Sequence, residues 1–472
     1  MGGEEVKIAN PLRKRHGVLM GNVVARVGGL ACVFGATLLL AHNGGPAVVG
    51  VYALLHVLPG LVGTIVSSGL PVAAPYFLAR SEHDDPRVRS TLFAMAVAGG
   101  GAGAMLWAAT APLWGPVLFS DLPVWLVMLA GLAVLTRLLV IAAKACSQGS
   151  DDLKGSNGII FFEQFAFLPA YTLLWVAGAH GFGPVVGALL LADTVTASLA
   201  WNRLRRRGFF HGATRPSPAL ARRIGAYGMR GQVGGLMSQL NLRLDFILLG
   251  LFAGPAVLGI YAVASKFAEL IRILGMALTY VFYPAFAKDG PSRAIARAGR
   301  LIRKAGMLTA GGVIPLWVAA GFAIPAFYGA SFDAAVTPAR IILLGLVLDG
   351  VAGMIIGLLY GVGRPGLNSW AMAAGLAVTV VLDLLLIPRF GATGAAIASA
   401  IAYTTTTAAL LWFFWRLRRP GRPLPSPSSA RPRVAVATAD ERSSRPVPVI
   451  GGWSRRPPIN DSKRRRPWSS IK

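Results

Sequence analysis

The chain has 472 residues, of which 54% are hydrophobic and only 14% are charged. This composition, with a mean hydropathy of +0.59, excludes an ordinary soluble globular protein. The formal net charge of +27 does not indicate a nucleic-acid-binding protein. The basic residues lie mainly between apolar segments and in the C-terminal tail, as they do in membrane proteins.

The first 16 residues end in a basic cluster, Arg13-Lys14-Arg15-His16, directly before the first apolar run. A secretory signal would have a shorter apolar run and a small-residue cleavage site, and neither is present. We therefore predict a cytoplasmic N-terminus (1–16) followed by an uncleaved first helix.

Apolar runs of about 20 residues, the length needed to cross a bilayer, recur from residue 17 to residue 417. The alternating pattern of a transmembrane barrel is absent. The sequence therefore predicts an all-α integral membrane protein with twelve transmembrane helices. They form two pseudo-symmetric lobes of six helices each, an N-lobe (17–203) and a C-lobe (224–417). The predicted spans are 17–42, 47–79, 88–113, 122–147, 156–177, 182–203, 224–251, 256–287, 305–328, 334–361, 367–387 and 392–415.

A repeated motif supports this division. Gly45-Pro-Ala-Val-Val-Gly-Val-Tyr-Ala-Leu54 recurs without a gap as Gly254-Pro-Ala-Val-Leu-Gly-Ile-Tyr-Ala-Val263, shifted by 209 residues. Each half begins and ends on the same side, so the two copies should be related by an axis along the membrane normal. Two similar hydrophobic halves are a common plan for a transporter with a site between them.

The remaining segments are basic. The connector between the lobes, 204–223, contains Phe209-Phe210 and predicts an interfacial helix or a flexible strap on the cytoplasmic face. The tail, 418–472, is rich in Pro, Arg and Ser and is predicted to be disordered. Basic residues concentrate in alternate connections, which predicts that both termini are cytoplasmic.

No catalytic or cofactor-binding pattern occurs in the sequence. The six histidines lack metal-ligand spacing, the two cysteines lie in apolar segments, and no Walker lysine loop is present. We therefore expect a transporter rather than an enzyme, with no metal site and no cofactor.

Charged residues inside the predicted spans are the candidate functional groups, because charge within a membrane is costly. Counting at the helical rise per residue places Arg26, Arg137 and Arg272 roughly 15 Å deep. We predict that cations line a water-filled cavity between the lobes and bind an anionic group such as a diphosphate or its attached sugar. The candidates are Arg26, Arg137, Arg243, Lys266 and Arg272.

The alternative is that these charges neutralise one another. Glu269 is three residues from both Lys266 and Arg272 and shares their helical face. Arg243 could likewise pair with Asp245. In that case the charges would hold helices together and would bind no ligand.

Buried carboxylates admit a further role, since each could carry a proton or hold Na⁺ during a transport cycle. The candidates for ion coupling are Asp193, Asp349 and Asp245. Lys144 lies nearer a helix end and is expected to extend to the membrane interface.

An ordered set of short motifs runs through the chain. They are Asn22-x3-Arg26, Gly50-Val-Tyr52, Ser147-Gln-Gly149, Asp245-x3-Leu-Gly250, Gly259-Ile-Tyr261, Tyr283-Pro284-Ala285 and Leu385-Leu-Ile-Pro-Arg-Phe-Gly-Ala-Thr-Gly-Ala-Ala-Ile-Ala398. Together they resemble the polysaccharide (O-antigen and exopolysaccharide) flippases of the MATE-like MOP superfamily. The resemblance covers the twelve predicted helices but not the tail.

This resemblance implies a two-lobed, MATE-like bundle in the bacterial inner membrane. Such a protein carries a polyprenyl-diphosphate-linked oligosaccharide from the inner to the outer leaflet by alternating access, for cell-surface or exopolysaccharide biosynthesis. Membrane lipids, a polysaccharide polymerase and glycosyltransferases are the implied partners. Arg26 is the position that carries over most directly, since a helix 1 arginine recurs in related flippases.

Alternatives remain open. An ion-coupled multidrug exporter of the same superfamily is expected to have an acidic or aromatic cavity, whereas the charges here are mainly basic. Lipid II flippases usually have two further C-terminal helices. A membrane-embedded polymerase or ligase would carry a large external loop, and the longest external connections predicted here have around ten residues. A scaffold whose basic tail recruits glycosyltransferases is compatible with transport.

Overall fold

Long α-helices make up nearly all of this computed structural model, which describes residues 11–79, 86–289 and 291–418. The predictions for residues 1–10 and for the tail from 419 onward lie outside the described residues. The helices are α1 (Pro11–Val66), α2 (Leu70–Leu78), α3 (Pro86–Leu118), α4 (Val124–Ala130), α5 (Leu132–Gly149), α6 (Leu153–Phe165), α7 (Phe167–Val176), α8 (Gly183–Arg206), α9 (Pro218–Ala268), α10 (Arg272–Lys288), α11 (Pro291–Tyr328), α12 (Val336–Gly345), α13 (Asp349–Gly361) and α14 (Pro365–Arg418).

The helices are long and apolar enough to cross a membrane many times. Within the described ranges eight helical segments qualify, and a ninth is formed if Ala330–Gly345 and Asp349–Gly361, which meet at 44°, count as one broken span. Large apolar side chains such as Leu113 (81% exposed) and Phe322 (67% exposed) lie on the outer surface, where lipid would cover them. The predicted all-α multi-pass architecture is confirmed, whereas the count of twelve helices stays a prediction.

Three of the longest helices are interrupted by a glycine with positive φ. These are Gly45 (φ 67°) in α1, Gly254 (φ 79°) in α9 and Gly391 (φ 53°) in α14. Glycine adopts this conformation without the penalty that a side chain imposes. Each break falls at a connection predicted between two spans, at 42–47, 251–256 and 387–392. The backbone dihedral angles are non-helical at all three glycines, so each long helix consists of two helices joined at a kink that coincides with a predicted connection.

The two copies of the repeated motif pack directly against each other. A Cβ atom added to Gly50 would overlap the Pro255 carbonyl, and one added to Gly259 would overlap the Pro46 carbonyl. The contact is reciprocal, as a pseudo-twofold relation between the halves requires. The 209-residue repeat thus marks a close backbone contact between α1 and α9.

A second contact joins the halves toward the end that the predicted topology places in the cytoplasm. Gly69 (φ 77°) lies against Gly228 so closely that neither position has room for a Cβ atom. Ser67 Oγ donates to Gln232 Oε1 at 3.1 Å, and the rings of Tyr76 and Tyr227 stack with centroids 4.2 Å apart. The two halves therefore meet at two separate places, the repeat contact and this one.

The connector between the halves is anchored to the N-terminal half. Helix α8 ends at Arg206 and α9 begins at Pro218, with turns between them. Phe209 is buried (4% exposed) against Trp201 and Phe210, instead of lying at a membrane surface as the sequence suggested. The described part of the connector is therefore neither an interfacial helix nor a free strap.

Asp152, the N-cap of α6, fixes the end of α8. Its carboxylate accepts hydrogen bonds from Arg203 Nε at 2.7 Å and from the Gly155 N–H at 2.9 Å, and Arg207 lies 3.1 Å away. Burial raises the pKa of the Asp152 carboxyl, but the Arg203 and Gly155 hydrogen bonds and the two arginine charges outweigh burial, so the pKa lies below its ordinary value.

Candidate functional site

A cavity of about 530 Å³ lies between the two halves. It falls within the range of ligand pockets, roughly 300–1,000 Å³. Its walls come from α1 on both sides of the Gly45 break and from α5, α6, α9 and α10. Both repeats therefore contribute to it, as predicted for a transporter site between lobes.

Arg26 lines this cavity and is exposed to it. Its Nε donates to Asn22 Oδ1 at 2.9 Å, and Asn22 Nδ2 donates to Asn157 Oδ1 at 2.8 Å. Among the described residues no carboxylate pairs with Arg26. The guanidinium group is held by a neutral amide one turn away, and its remaining donors are available to a ligand.

Lys266, Arg243 and Glu269 form a cluster on the opposite side of the cavity. Lys266 Nζ lies 2.8 Å from Glu269 Oε2, and Arg243 lies 3.5 Å from Glu269 Oε1. Arg243 also lies over the Phe246 ring, 5.3 Å from its centroid. One carboxylate is shared by two cations, so neutralisation is incomplete. The predicted contact of Glu269 with Lys266 forms, but its second partner is Arg243 and not Arg272, which faces Asp349 instead. The predicted pair of Arg243 with Asp245 is wrong, because Arg243 pairs with Glu269.

Lys144 and Glu163 are cavity residues that the sequence analysis did not identify as site residues. Lys144 Nζ lies 2.8 Å from Glu163 Oε2, and both side chains line the cavity. Lys144 does not extend to the membrane interface as expected. The available signal was a pair of opposite charges toward the same predicted membrane side on consecutive spans. Four basic and two acidic side chains thus line the cavity, an excess of two positive charges.

Arg137, by contrast, is not among the residues that line the central cavity. Its Nε donates to Asp193 Oδ2 at 3.0 Å, and its terminal nitrogens bond the carbonyl oxygen and Nδ1 of His56. The two charged side chains are only 13% and 7% exposed. The structure therefore brings together one predicted substrate-binding residue and one predicted ion-coupling residue as a buried pair.

Arg272 and Asp349 also lie outside the central cavity. They line a separate cavity of about 150 Å³ within the C-terminal half. Arg272 Nε is 3.9 Å from Asp349 Oδ1, and its guanidinium carbon is 5.1 Å from the centroid of the Tyr403 ring. The five predicted cations are thus divided among the central cavity, a buried pair and this second cavity.

Asp245, the third ion-coupling candidate, is buried (4% exposed) and faces away from the cavity. The Tyr261 hydroxyl donates to Asp245 Oδ2, the Phe246 N–H donates to Oδ1 at 2.9 Å, and Ser399 Oγ is 3.4 Å away. Asp383 is buried on α14, the helix that also provides Ser399. Both carboxylate oxygens of Asp383 are buried and have no hydrogen-bond partner among the described residues.

A metal-catalysed reaction receives no support from the described part of the chain. No group of three or more His, Cys, Asp or Glu side chains there could hold a metal ion. The features that the described residues do provide are a basic cavity, a second small cavity whose mainly apolar wall carries a few polar side chains, and a pair of buried carboxylates.

Comparisons with known proteins agree with this arrangement. A family model described as "Polysaccharide biosynthesis protein" matches residues 45–337, more than half of the chain. "Probable flippase AglR" from Haloferax volcanii is 26% identical over 168 residues. That match covers 34% of this chain and 35% of the relative, so the chain spans about a third of the length of that relative.

Solved structures share the fold. "Lipid II flippase MurJ, inward closed conformation" superposes with a TM-score of 0.69 at 13% identity, covering 85% of this chain and 89% of that chain. The inward-facing conformation of a multidrug resistance MATE family transporter of the MOP superfamily gives a TM-score of 0.64 at 16% identity, covering 85% and 97%. At these identities the likeness concerns the fold alone, which is the predicted MATE-like one.

Proposed function

Because the chain belongs to the polysaccharide biosynthesis protein family, we propose that it is a flippase of the MOP superfamily for a polyprenyl-diphosphate-linked oligosaccharide. It moves this substrate from the inner to the outer leaflet of a bacterial inner membrane, with both of its own termini in the cytoplasm. The product feeds cell-surface or exopolysaccharide biosynthesis, so a polysaccharide polymerase and glycosyltransferases are the expected partners.

The observation that carries this proposal is the charge of the central cavity. Arg26, Lys144, Arg243 and Lys266 face Glu163 and Glu269, which leaves an excess of two positive charges. A diphosphate diester carries two negative charges and matches this excess. Arginine suits the role because its planar fork bonds phosphate oxygens and keeps its charge when partly desolvated.

The same charge argues against export of cationic drugs, since a cation entering the cavity would be repelled by the excess positive charge. Lipid II also carries a diphosphate, so the cavity charge alone favours a lipid-linked diphosphate rather than one particular saccharide. The family of the chain favours a polysaccharide precursor.

Alternating access requires that the two contacts between the halves open in turn. Along α9, Gly228 lies toward the start of the helix and Gly259 toward its end, so the Gly69–Gly228 and Gly50–Gly259 contacts are separate. In both contacts, backbone atoms of one half pack directly against backbone atoms of the other. These surfaces can separate without breaking an ion pair. Rocking of the halves about the cavity is the motion expected for such repeats.

We assign ion coupling first to Asp245 and its neighbour Asp383. An ionised carboxylate that is buried without hydrogen bonds is costly, so a proton or Na⁺ is expected at Asp383. Asp245 shares this environment and links α9 to α14 through Tyr261 and Ser399. Asp193 and Asp349, which the sequence favoured because they lie mid-helix, become the weaker candidates, because each already faces an arginine.

Transbilayer movement of a fluorescent polyprenyl-diphosphate oligosaccharide in proteoliposomes tests the proposal. Wild type is expected to move the lipid, and Arg26→Ala is expected to lose movement to the background rate with its abundance unchanged. Arg340→Ala is the matched control, because Arg340 lies over the Trp317 ring outside both cavities. Absence of movement in wild type, with or without proton or sodium gradients, would overturn the proposed function.

A further inference from the structure

The small cavity in the C-terminal half adjoins the central one. Met276 lines both cavities and is 48% exposed. At about 150 Å³, the small cavity lies well below the roughly 300–1,000 Å³ of pockets that enclose a whole ligand. It has room for the end of a ligand whose remainder occupies the central cavity.

A short 3₁₀ segment, Glu269–Ile271, separates α9 from α10 and links the two cavities along the chain. Glu269 at its start lines the central cavity, whereas Arg272 directly after it lines the small one. A ligand whose anionic group lies beside Lys266 and Arg243 therefore has the small cavity as its neighbour.

Asp349 presents an unused acceptor to the small cavity. Its carboxylate receives no hydrogen bond among the described residues, and Arg272 at 3.9 Å is too distant for one. Gly275 makes the position possible, because a Cβ atom there would overlap Asp349 Oδ2. The Asp349 carboxylate therefore lies near the Arg272 cation, and its oxygens can still accept hydrogen bonds from a ligand.

Three threonine hydroxyls in the cavity wall have already used their only donor. Thr406 Oγ1 donates to the Ala402 carbonyl at 2.9 Å, Thr407 Oγ1 to the Tyr403 carbonyl at 2.9 Å, and Thr279 Oγ1 to the Gly353 carbonyl at 2.8 Å. A hydroxyl has one donor and two acceptor lone pairs. These three oxygens can therefore still accept hydrogen bonds from a ligand.

The chemistry of the wall selects among ligands. An anion would meet one arginine together with a carboxylate and several acceptors, and an ammonium group would meet Arg272. A neutral ligand rich in hydroxyl donors fits Asp349 and the threonines, and its own oxygens can accept from Arg272. Tyr403 adds an aromatic surface to the same wall.

We propose that this small cavity is the saccharide subsite of the flippase, in which Asp349, Arg272 and the threonine oxygens bind the hydroxyl groups of the first sugar. The inference rests on the proposed function, since it places the diphosphate beside Lys266 and Arg243 and the attached sugar beyond Met276. The central cavity would thus bind the diphosphate of the ligand, and the small cavity would bind its first sugar.

Binding to purified full-length protein in nanodiscs tests the subsite with two probes of equal charge. One is farnesyl diphosphate with glucose esterified to its terminal phosphate. The other carries a methyl group in place of the glucose on the same phosphate. Wild type is expected to bind the glucosyl probe at least about tenfold more tightly, which corresponds to about 1.4 kcal/mol. Asp349→Asn should remove most of this advantage and leave binding of the methyl probe unchanged.

Asp333→Asn is the matched control, because Asp333 lies in the 3₁₀ segment Ala330–Ala335 and lines neither cavity. Thr407→Val, which keeps the side-chain shape, should reduce the glucosyl advantage by about threefold and serves as the test if Asp349→Asn fails to fold. Equal wild-type affinity for the two probes, or equal loss of both in Asp349→Asn, would overturn the subsite. Binding of neither probe by wild type would overturn the proposed function itself.

Discussion

Arg26 and Arg137 lie at similar predicted depths in the membrane, yet their surroundings differ. Arg26 is exposed in the central cavity, and its one described hydrogen bond goes to the neutral Asn22 amide. Arg137 is 13% exposed and is bonded to Asp193 and to the His56 carbonyl. Depth by itself therefore does not identify a ligand-binding arginine. What distinguishes them is whether the protein itself already uses the donors.

The same distinction separates other charges. Asp152 outside the spans and Glu269 in the cavity each lie beside two cations, but the Asp152 side chain is 2% exposed and the Glu269 side chain is 22% exposed. Breaking a buried ion pair is costly, because removing one partner leaves the other uncompensated. Incompletely paired, water-accessible charges can exchange partners with a ligand.

The largest expected effect is on the stability of the buried pair. Arg137→Ala leaves the Asp193 carboxylate buried without a cation, which should cost about 3–5 kcal/mol. The measurement is thermal unfolding in detergent together with membrane abundance. Arg26→Ala serves as the control and should unfold like wild type.

A double variant sharpens this result. Arg137→Ala combined with Asp193→Asn should recover part of the lost stability, because no uncompensated charge remains. If Arg137→Ala is as stable as wild type and loses only transport, Arg137 is a substrate-binding residue, as predicted from the sequence. The distinction drawn above between Arg26 and Arg137 would then be wrong.

A smaller effect, on transport, is expected in the cavity. Lys266→Met removes one charge-assisted contact, which is worth about 1.5–3 kcal/mol and corresponds to roughly 10–150-fold in affinity for the diphosphate. Stability should change little, because Glu269 keeps Arg243 as a partner. Concentration-dependent flipping in proteoliposomes measures the change.

Lys288→Met is the control for this prediction, since Lys288 is exposed at the end of α10 and lines neither cavity. Unchanged flipping by Lys266→Met would exclude Lys266 from the anion site. A loss of stability instead would place Lys266 with the structural pairs.

The smallest effect is expected at Asp152, and it depends on pH. Asp152→Asn should lower stability at neutral pH by about 1–2 kcal/mol, since both arginines are about half exposed. The pKa of Asp152 is lower in the folded protein, so its contribution is complete above the unfolded pKa of about 3.9. It is lost as the pH falls through the folded pKa.

Thermal unfolding of wild type and Asp152→Asn between neutral and acidic pH checks this prediction. The difference between the two proteins should narrow in acid. A difference that stays constant or grows as the pH falls would show that the carboxylate charge does not stabilise the end of α8.

Several features of the fold followed from local patterns. The motif copies begin at Gly45 and Gly254, between predicted spans, and both glycines have the positive φ that favours this residue. Their spacing also predicted two related halves, and the motifs do meet at Gly50 and Gly259. The identity of charge partners did not follow. The predicted Arg243–Asp245 pair does not form, and Lys144 lies in the cavity.

The amino-acid sequence by itself determined the membrane-spanning helices, the repeat, the family and the set of intramembrane charges. These depend on hydrophobic length, glycine and proline conformation, and composition, all of which are local along the chain. Only the tertiary structure decided that Arg26 faces a cavity, that Arg137 is bound by Asp193 and that Arg272 and Asp349 line a second cavity. The helical rise per residue gives the depth of a side chain but not which neighbouring helix it faces. The partner and the solvent access of a charge decide what it can do.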